Sequence, residues 1–430
     1  MPSKHMKKYN VLVFLTVSIL FFGTTLVFGQ QGKRLTLSDC LKMAHQQNPG
    51  LLTYRESLIA LQHKEESLFR EMLPDVSVSW SGKEVYENYT DAYAASVSVN
   101  QTVFQGKRAY TSWKISGLET RRSSCDLIRQ YQYMTYRVKN AWYELLKTQE
   151  LLEETIQSLE RLKQHASNAG HFFKEGWIWR TDVLEAQVKV ARGEQAKIVA
   201  ENNVARAIAN LNILMHRDVN AELSVQEKLI WIPHEWTFEK AKAEALKNRP
   251  DLLQAHIDLE KSQLALTIER SSYYPNVSAT AAWSRSDRHM DMHNGVEDLS
   301  AQMTASWTLW EWGKTIESVA AAKANVRKNK LLIQEIEDQL ILDIQEAWLS
   351  VQESDKKLNV LEQALAQGEE NYRVNIIRYR ERLGTAKNVL DAQDLLTSTR
   401  EDYITALSVY LSSLANLDYA IGTKKYDIYQ

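Results

Sequence analysis

The chain of 430 residues is long enough for two or three ordinary domains, and 52 Lys and Arg against 54 Asp and Glu leave a net charge of -2. That balance supplies no basic surface for nucleic acid. Two cysteines, Cys40 and Cys125, exclude a disulfide framework and a cysteine metal site, while 15 glycines and 6 prolines among 25% charged residues favour long, exposed helices.

At the N-terminus Lys4, Lys7 and Lys8 precede an apolar run from Val11 to Phe28, followed by Gly29 and the polar pair Gln30-Gln31. This layout predicts a secretory signal peptide over 1–29. The competing reading is a retained membrane anchor, since the run approaches spanning length. Leu37-Ser38-Asp39-Cys40 lies past Lys33 and Arg34, too far from the apolar run to serve as a lipoprotein cleavage box. No later segment is apolar over a spanning length, so a membrane role of the mature chain rests on strands.

The remainder is written twice. "LTLSDCLKMAHQQNPGLL" from Leu35 pairs with "WTFEKAKAEALKNRPDLL" from Trp236, and Thr36/Thr237, Pro49/Pro250 and Pro74/Pro275 each lie 201 positions apart. Further on, Thr102/Thr308, Ala141-Trp142/Ala347-Trp348 and Val183-Leu184/Val389-Leu390 lie 206 apart, so a longer loop separates the strands of the second copy. The predicted repeats are 30–234 and 235–418, with a C-terminal tail over 419–430. Each reads as a short helix capped by Thr36 or Thr237, a second helix, a pair of strands, a very long helix, a turn and a shorter helix.

The strand patches, about 75–105 and about 275–311, alternate strictly. Val76, Val78 and Trp80 oppose Ser77, Ser79 and Ser81, and Leu299, Ala301, Met303, Ala305, Trp307 and Leu309 oppose Ser300, Gln302, Thr304, Ser306 and Thr308. A small polar face against an apolar one over about ten residues is the pattern of membrane-barrel strands. Tyr273, Tyr274, Trp283, Trp307, Trp310 and Trp312 fall near the expected strand ends, where an interfacial girdle sits. Soluble hairpins packed on a helix are the alternative.

In the long helices, Leu127, Tyr131, Met134, Val138, Trp142, Leu145, Leu152, Ile156 and Leu159 step by three, four or seven, as does a second set from Ile333 to Leu365. That stripe calls for coiled-coil packing. A helix from Lys107 to Phe172 extends about 100 Å, too long for a compact domain. Four strands cannot close a membrane barrel, which takes at least about eight, so membrane strands here imply that several chains pool them.

The duplicated opening, "PDVSVSW" and "PNVSATAAW", "QTVFQGK" and "WTLWEWGK", together with two tip motifs, resemble the TolC-type outer-membrane factors over essentially the whole mature chain. The resemblance implies a mainly α fold with a β-barrel portion: a homotrimer whose twelve-stranded outer-membrane barrel continues into a helical tube in the periplasm of a Gram-negative bacterium. It implies a passive exit duct that works with a periplasmic adaptor and an inner-membrane pump, embedded in outer-membrane lipid. The competing class is an inner-membrane-anchored coiled-coil adaptor with soluble hairpins.

"FKEGWIWRTDVLEAQ" from Phe173 and "YRERLGTAKNVLDAQ" from Tyr379 resemble the family's adaptor-docking tip. Gly176 matches its turn glycine, followed by Trp177, Ile178 and Trp179 where smaller residues are usual. In the second copy Arg382 takes the glycine place, while Leu383, Gly384 and Thr385 keep the motif. Asp391 matches a family carboxylate that lines the closed pore, Asn388 replaces a second one, and Asp182 and Glu185 are the first-copy equivalents. An acid in a helix's first turn also serves as a dipole partner. No phosphate loop, nucleophile elbow or zinc spacing occurs, so no enzyme and no cofactor is expected. His289, Met290, Met292 and His293 in the longer loop carry copper-type donors. Their spacing implies no rigid geometry, so no metal is assigned.

Overall fold

The computed structural model describes residues 35–423 apart from 84–91, 226, 289, 291 and 382. The expected signal peptide, His289, Arg382 and residues 424–430 of the tail lie outside the described residues.

Each repeat opens on a capped helix. In α1 (Leu37–Gln47) the Thr36 Oγ1 accepts from the Asp39 N–H at 3.3 Å, and the Asp39 carboxylate accepts from the Thr36 N–H at 3.2 Å. This reciprocal pairing satisfies amides that a helix start leaves orphaned. Downstream, α2 (Pro49–Arg70) follows after Asn48. In the second repeat α5 (Phe238–Asn248) starts at Thr237, whose Oγ1 accepts from the Lys240 N–H at 3.4 Å, and α6 (Pro250–Ser271) follows after Arg249. Proline at the first helical position costs only a donor that would be unpaired anyway. The junction residues differ in chemistry but do one job: Asn48 Nδ2 donates to the Leu214 carbonyl at 3.0 Å, and buried Arg249 donates to the Ala420 carbonyl at 3.4 Å. Arg249 also holds Asp251 at 2.8 Å and Asp343 at 2.7 Å.

The strands β1 (Asp75–Lys83), β2 (Ala92–Phe104), β3 (Asn276–Asp287) and β4 (Val296–Ser306) form one antiparallel sheet in the order β1-β2-β3-β4. The two expected hairpins are thus fused through β2 and β3, and the register keeps the apolar face together: Val78 opposite Val97, Val97 opposite Trp283, and Trp283 opposite Leu299. One boundary differs from the periodicity. The alternation through Trp307 and Leu309 predicts a strand to about 311, but β4 ends at Ser306. The equivalent stretch of β2 stays in the sheet because Thr102 and Phe104 pair with Ser278 and Val277, whereas β4 is an edge with no strand beyond it.

From the sheet, α3 (Arg108–Lys174) and α7 (Lys314–Arg380) run out for 67 residues each, and return as α4 (Arg180–Leu214) and α8 (Ala386–Ile421). α8 continues past the repeat end expected at 418, until Gly422 with φ of 73° turns the chain. Helix α3 packs on α2, α4, α6 and α8, and α7 on α5, α6 and α8. Val138, Trp142, Leu145, Leu340, Ile344 and Tyr410 are fully enclosed where α1 and α5 brace the long helices.

The apolar stripe is broken once. Ile156 is 45% exposed, and Glu154 occupies the buried place at 5%. A carboxylate is tolerated there because Arg161 and Arg400 both reach it, Arg400 at 3.1 Å. The matched tryptophans also diverge: Trp142 is enclosed while Trp348 is half-buried against Phe238. Trp142→Ala is expected to lower stability by about 3–5 kcal/mol. Trp348→Ala should cost distinctly less, and thermal melting of the two purified variants checks the ranking.

Candidate functional site

Two surfaces carry the features of a site: the sheet and the helix turns at the opposite end of the molecule. On the sheet, one face is a ladder of hydroxyls and amides. Ser77 and Ser98 meet at 2.8 Å, Ser79 and Ser96 at 2.8 Å, and the Thr280 hydroxyl donates to Asn100 Oδ1 at 3.0 Å. The other face is aliphatic and aromatic and none of the described residues covers it: Val78 is 78% exposed, Leu299 81% and Met303 71%. Exposed apolar area of this extent marks a contact with lipid or a partner. Trp283 lies in the middle of the apolar face, opposite Val97 and Leu299, with Trp80 and Tyr93 nearer the far end, while Tyr273, Tyr274, Trp307, Trp310 and Trp312 gather at the helix end. The sequence placed all six expected girdle residues near strand ends; the structure puts five of them at the helix end, but Trp283 falls within the apolar band, because its strand continues four residues further, to Asp287. Among the described residues the outer edges of β1 and β4 have no partner strand.

At the first turn, α3 ends through Gly176, whose φ of 75° lies where side chains are strained, and the Trp177 N–H donates back to the Phe172 carbonyl at 2.9 Å. The turn presents Trp177 at 54% and Trp179 at 81% exposure, with Ile178 half-buried between them. The Trp179 N–H donates to the Asp182 carboxylate at 3.3 Å, so Asp182 serves as the first-turn acid of α4. At the second turn the Leu383 N–H donates to the Arg378 carbonyl at 2.7 Å, leaving the Leu383 side chain 71% exposed. Thr385 caps α8 by accepting from the Asn388 N–H at 3.3 Å, and Gly384 packs close to Arg378.

The four expected gate positions do not form one cluster. Asp391 is exposed and ion-paired to Lys387, one turn back, at 3.1 Å. Lys387 also feels Glu185 and Asp394, and Lys189 of α4 pairs with Asp394. The structure therefore gathers Glu185, Lys189, Lys387, Asp391 and Asp394, while the Asp182 carboxylate is engaged at the start of α4 and Asn388 gives only its backbone N–H to the cap of α8, its side chain exposed. Lys387 and Asp391 were available to sequence reasoning as an i,i+4 pair. Lys189 and Asp394 were not, because their approach depends on how α4 lies beside α8. No group of three or more His, Cys, Asp and Glu able to hold a metal ion occurs among the described residues.

One turn region also buries unpaired polar atoms. His165 is 7% exposed with no partner for Nε2 among the described residues; its ring lies 5.6 Å from Tyr379, whose hydroxyl is likewise unpaired among them. Burial holds the His165 pKa below its ordinary 6.5, and burial followed by nearby Asp182 pushes Tyr379 up. Neither residue stood out in the sequence, since each continues an ordinary helical pattern.

Residues 242–423 match the model of the family described as outer membrane efflux protein. No curated protein matches the chain in sequence. Among solved structures, the CmeC outer membrane channel of Campylobacter jejuni superposes with a TM-score of 0.80 at 14% identity, covering 90% of this chain and 85% of that one. The outer membrane protein VceC of Vibrio cholerae gives 0.78 at 17% identity, covering 90% and 96%. The outer-membrane channel OprN gives 0.77 at 16% identity, covering 90% and 89%. These likenesses establish the fold: long helices joined to a four-stranded sheet.

The buried histidine makes stability pH-dependent with a definite sign. A ring whose folded pKa is lowered stabilises the fold above its unfolded value of 6.5, and that contribution is lost as pH falls through the folded value. The melting temperature is expected to drop between about pH 7.5 and 5.5. His165→Gln should flatten that drop; an unchanged pH profile in the variant contradicts the assignment.

Proposed function

We propose, from the premise that through residues 242–423 the chain belongs to the outer membrane efflux protein family, that it is one protomer of a homotrimeric outer-membrane exit duct. The duct conducts substrates passively from periplasm to exterior when a periplasmic adaptor and an inner-membrane pump engage it. The observation that carries this reading is the sheet, which has an uncovered apolar face and two unpaired edges in one protomer. Unpaired backbone groups cost several kcal/mol each in lipid, so an isolated four-stranded sheet is not viable there. Three copies supply twelve strands, enough to close a barrel. The hydroxyl ladder then lines the lumen, the apolar face meets lipid, and the aromatic cluster at the helix end sits at one membrane interface. The helices form the periplasmic tube.

Val97 lies on the apolar face and Ser98 on the polar one. Val97→Asp is expected to cost roughly 2 kcal/mol or more near the bilayer centre, while Ser98→Asp is mild. Oligomer yield in outer-membrane fractions reads this, and equal tolerance of both, or residence of the protein in the inner membrane, contradicts the duct.

Exposed Trp177, Trp179 and Leu383 form the adaptor-docking tip, with Gly176, Ile178, Gly384 and Thr385 shaping its turns. Leu383→Glu and Trp179→Glu should abolish export and leave oligomers assembled. Export at the level of the parent protein in both variants moves docking elsewhere.

At the gate, each Asp391 carries its own Lys387 counter-charge, which weakens a ring of carboxylates as a cation site. Lys387→Ala is therefore expected to sharpen blockade by multivalent cations in planar-bilayer conductance, and Asp391→Asn to abolish it. Unchanged blockade in Asp391→Asn removes this residue from the gate.

A further inference from the structure

Inside one copy, the passage from β2 into α3 is seated on the end of α6 and the start of β3. Thr102 lies opposite Ser278 and Phe104 opposite Val277, and the Phe104 ring meets Tyr274 edge-on at 6.3 Å. The Arg108 guanidinium donates to the Ser271 and Ser272 hydroxyls, each at 3.0 Å.

The same passage recurs from β4 into α7. At the 206-residue spacing Phe104, Gly106, Lys107 and Arg108 become Trp310, Trp312, Gly313 and Lys314. The backbone repeats with the sequence: φ is 58° at Gly106 and 51° at Trp312, 71° at Lys107 and 84° at Gly313. Yet among the described residues this second passage has no seat. Trp310 is 73% exposed, Trp312 90% and the Lys314 side chain 78%. A tryptophan with positive φ is strained and needs its surroundings to hold it. The seat itself also recurs. At the 201-residue spacing Ser271, Ser272, Tyr274 and Val277 become Arg70, Glu71, Leu73 and Val76, and Leu73 is 54% exposed beside the free edge of β1.

We infer that the seat for this passage is the next copy of the chain, where Lys314 pairs with Glu71 of the neighbour and Trp310 packs on the neighbour's Leu73. The inference rests on the pooled barrel proposed above and adds its register and its contacts. Transferring the β2–β3 register to the seam sets Ser306 opposite Ser79, Ala305 opposite Trp80 and Met303 opposite Gly82 of the next copy. That register passes an independent check: it keeps the apolar face continuous across the seam. A slip of one residue sets Met303 and Ala305 beside Ser81 and Ser79 and breaks both faces.

The substitutions between the repeats fit a change from an internal to an external contact. Arginine on two serines becomes lysine beside Arg70 and Glu71, of which Glu71 supplies the opposite charge while Arg70 is held by Glu66 of its own helix. Within its own copy Lys314 reaches only Glu311, at 3.9 Å, and Glu71 makes no ion pair among the described residues. Phenylalanine on tyrosine becomes tryptophan on leucine. One position forbids an exact copy: a Cβ at Gly106 falls 2.8 Å from the Ser271 carbonyl oxygen, and Trp312 stands at that place. The seam between copies is therefore wider there than its internal counterpart, and the indole lies over Arg70 of the neighbour, a cation–π arrangement.

Ser306→Cys combined with Ser79→Cys, with Cys40 and Cys125 replaced by alanine, should give dimers and trimers with a short thiol-specific cross-linker. Ser306→Cys with Ser81→Cys should give neither. Separately, Glu71→Lys and Lys314→Glu should each lower the temperature at which the oligomer dissociates in dodecyl sulfate, and the double variant should recover at least half of that loss. An oligomer that assembles without the 306–79 cross-link, or a double variant no better than the singles, overturns the seam and leaves the pooled barrel standing. A parent chain that is monomeric in membrane extracts overturns both.

Discussion

The backbone donors and acceptors along the outer edges of β1 and β4 set the terms for the rest of the molecule. In water they would be solvated and harmless; against hydrocarbon they must be paired. The long helices repeat the same situation in apolar surface. The outer side of α4 leaves Val188, Ile198 and Ile213 uncovered, and the outer side of α7 leaves Leu331, Leu349 and Val360 uncovered. One flank of the protomer carries β1 with α2 and α4, and the other carries β4 with α7. Two different flanks that must satisfy each other give a head-to-tail contact, and such contacts close into a ring when the rotation allows.

In the proposed ring the tandem duplication is economical, because a single structural unit would supply both the internal joint and its external counterpart. Matched residues then record which joint is internal. Val389 and Leu390 are both buried, since α8 is held between α7 and α3, while Leu184 at the matching place on α4 is 49% exposed. The divergence of Phe104 and Trp310, or of Arg108 and Lys314, has the same origin: one member of each pair packs within its own chain and the other does not.

Much of the fold was legible because its signals are local. Thr36 and Thr237 mark helix starts through hydrogen bonds three residues long, Pro49 and Pro250 fix junctions by their ring, and the alternation of Val76 to Ser81 states which strand face is which. What escaped depends on distant neighbours. The end of β4 at Ser306 follows from the absence of an adjacent strand in the chain, which alternation through Leu309 does not encode. Burial of Glu154 in place of Ile156 requires Arg400, 246 residues away, as its partner. The tip residues were proposed by resemblance alone, and the geometry adds that the Asp182 carboxylate is engaged at a helix start, with Lys387 paired to Asp391.

The claim on which the account turns is that the sheet is one share of a closed barrel. Native mass spectrometry of the protein extracted from outer membranes in mild detergent measures it directly. The account predicts a species of three chains, twelve strands in all. A monomer as the sole species, with the edges of β1 and β4 left open, would contradict it.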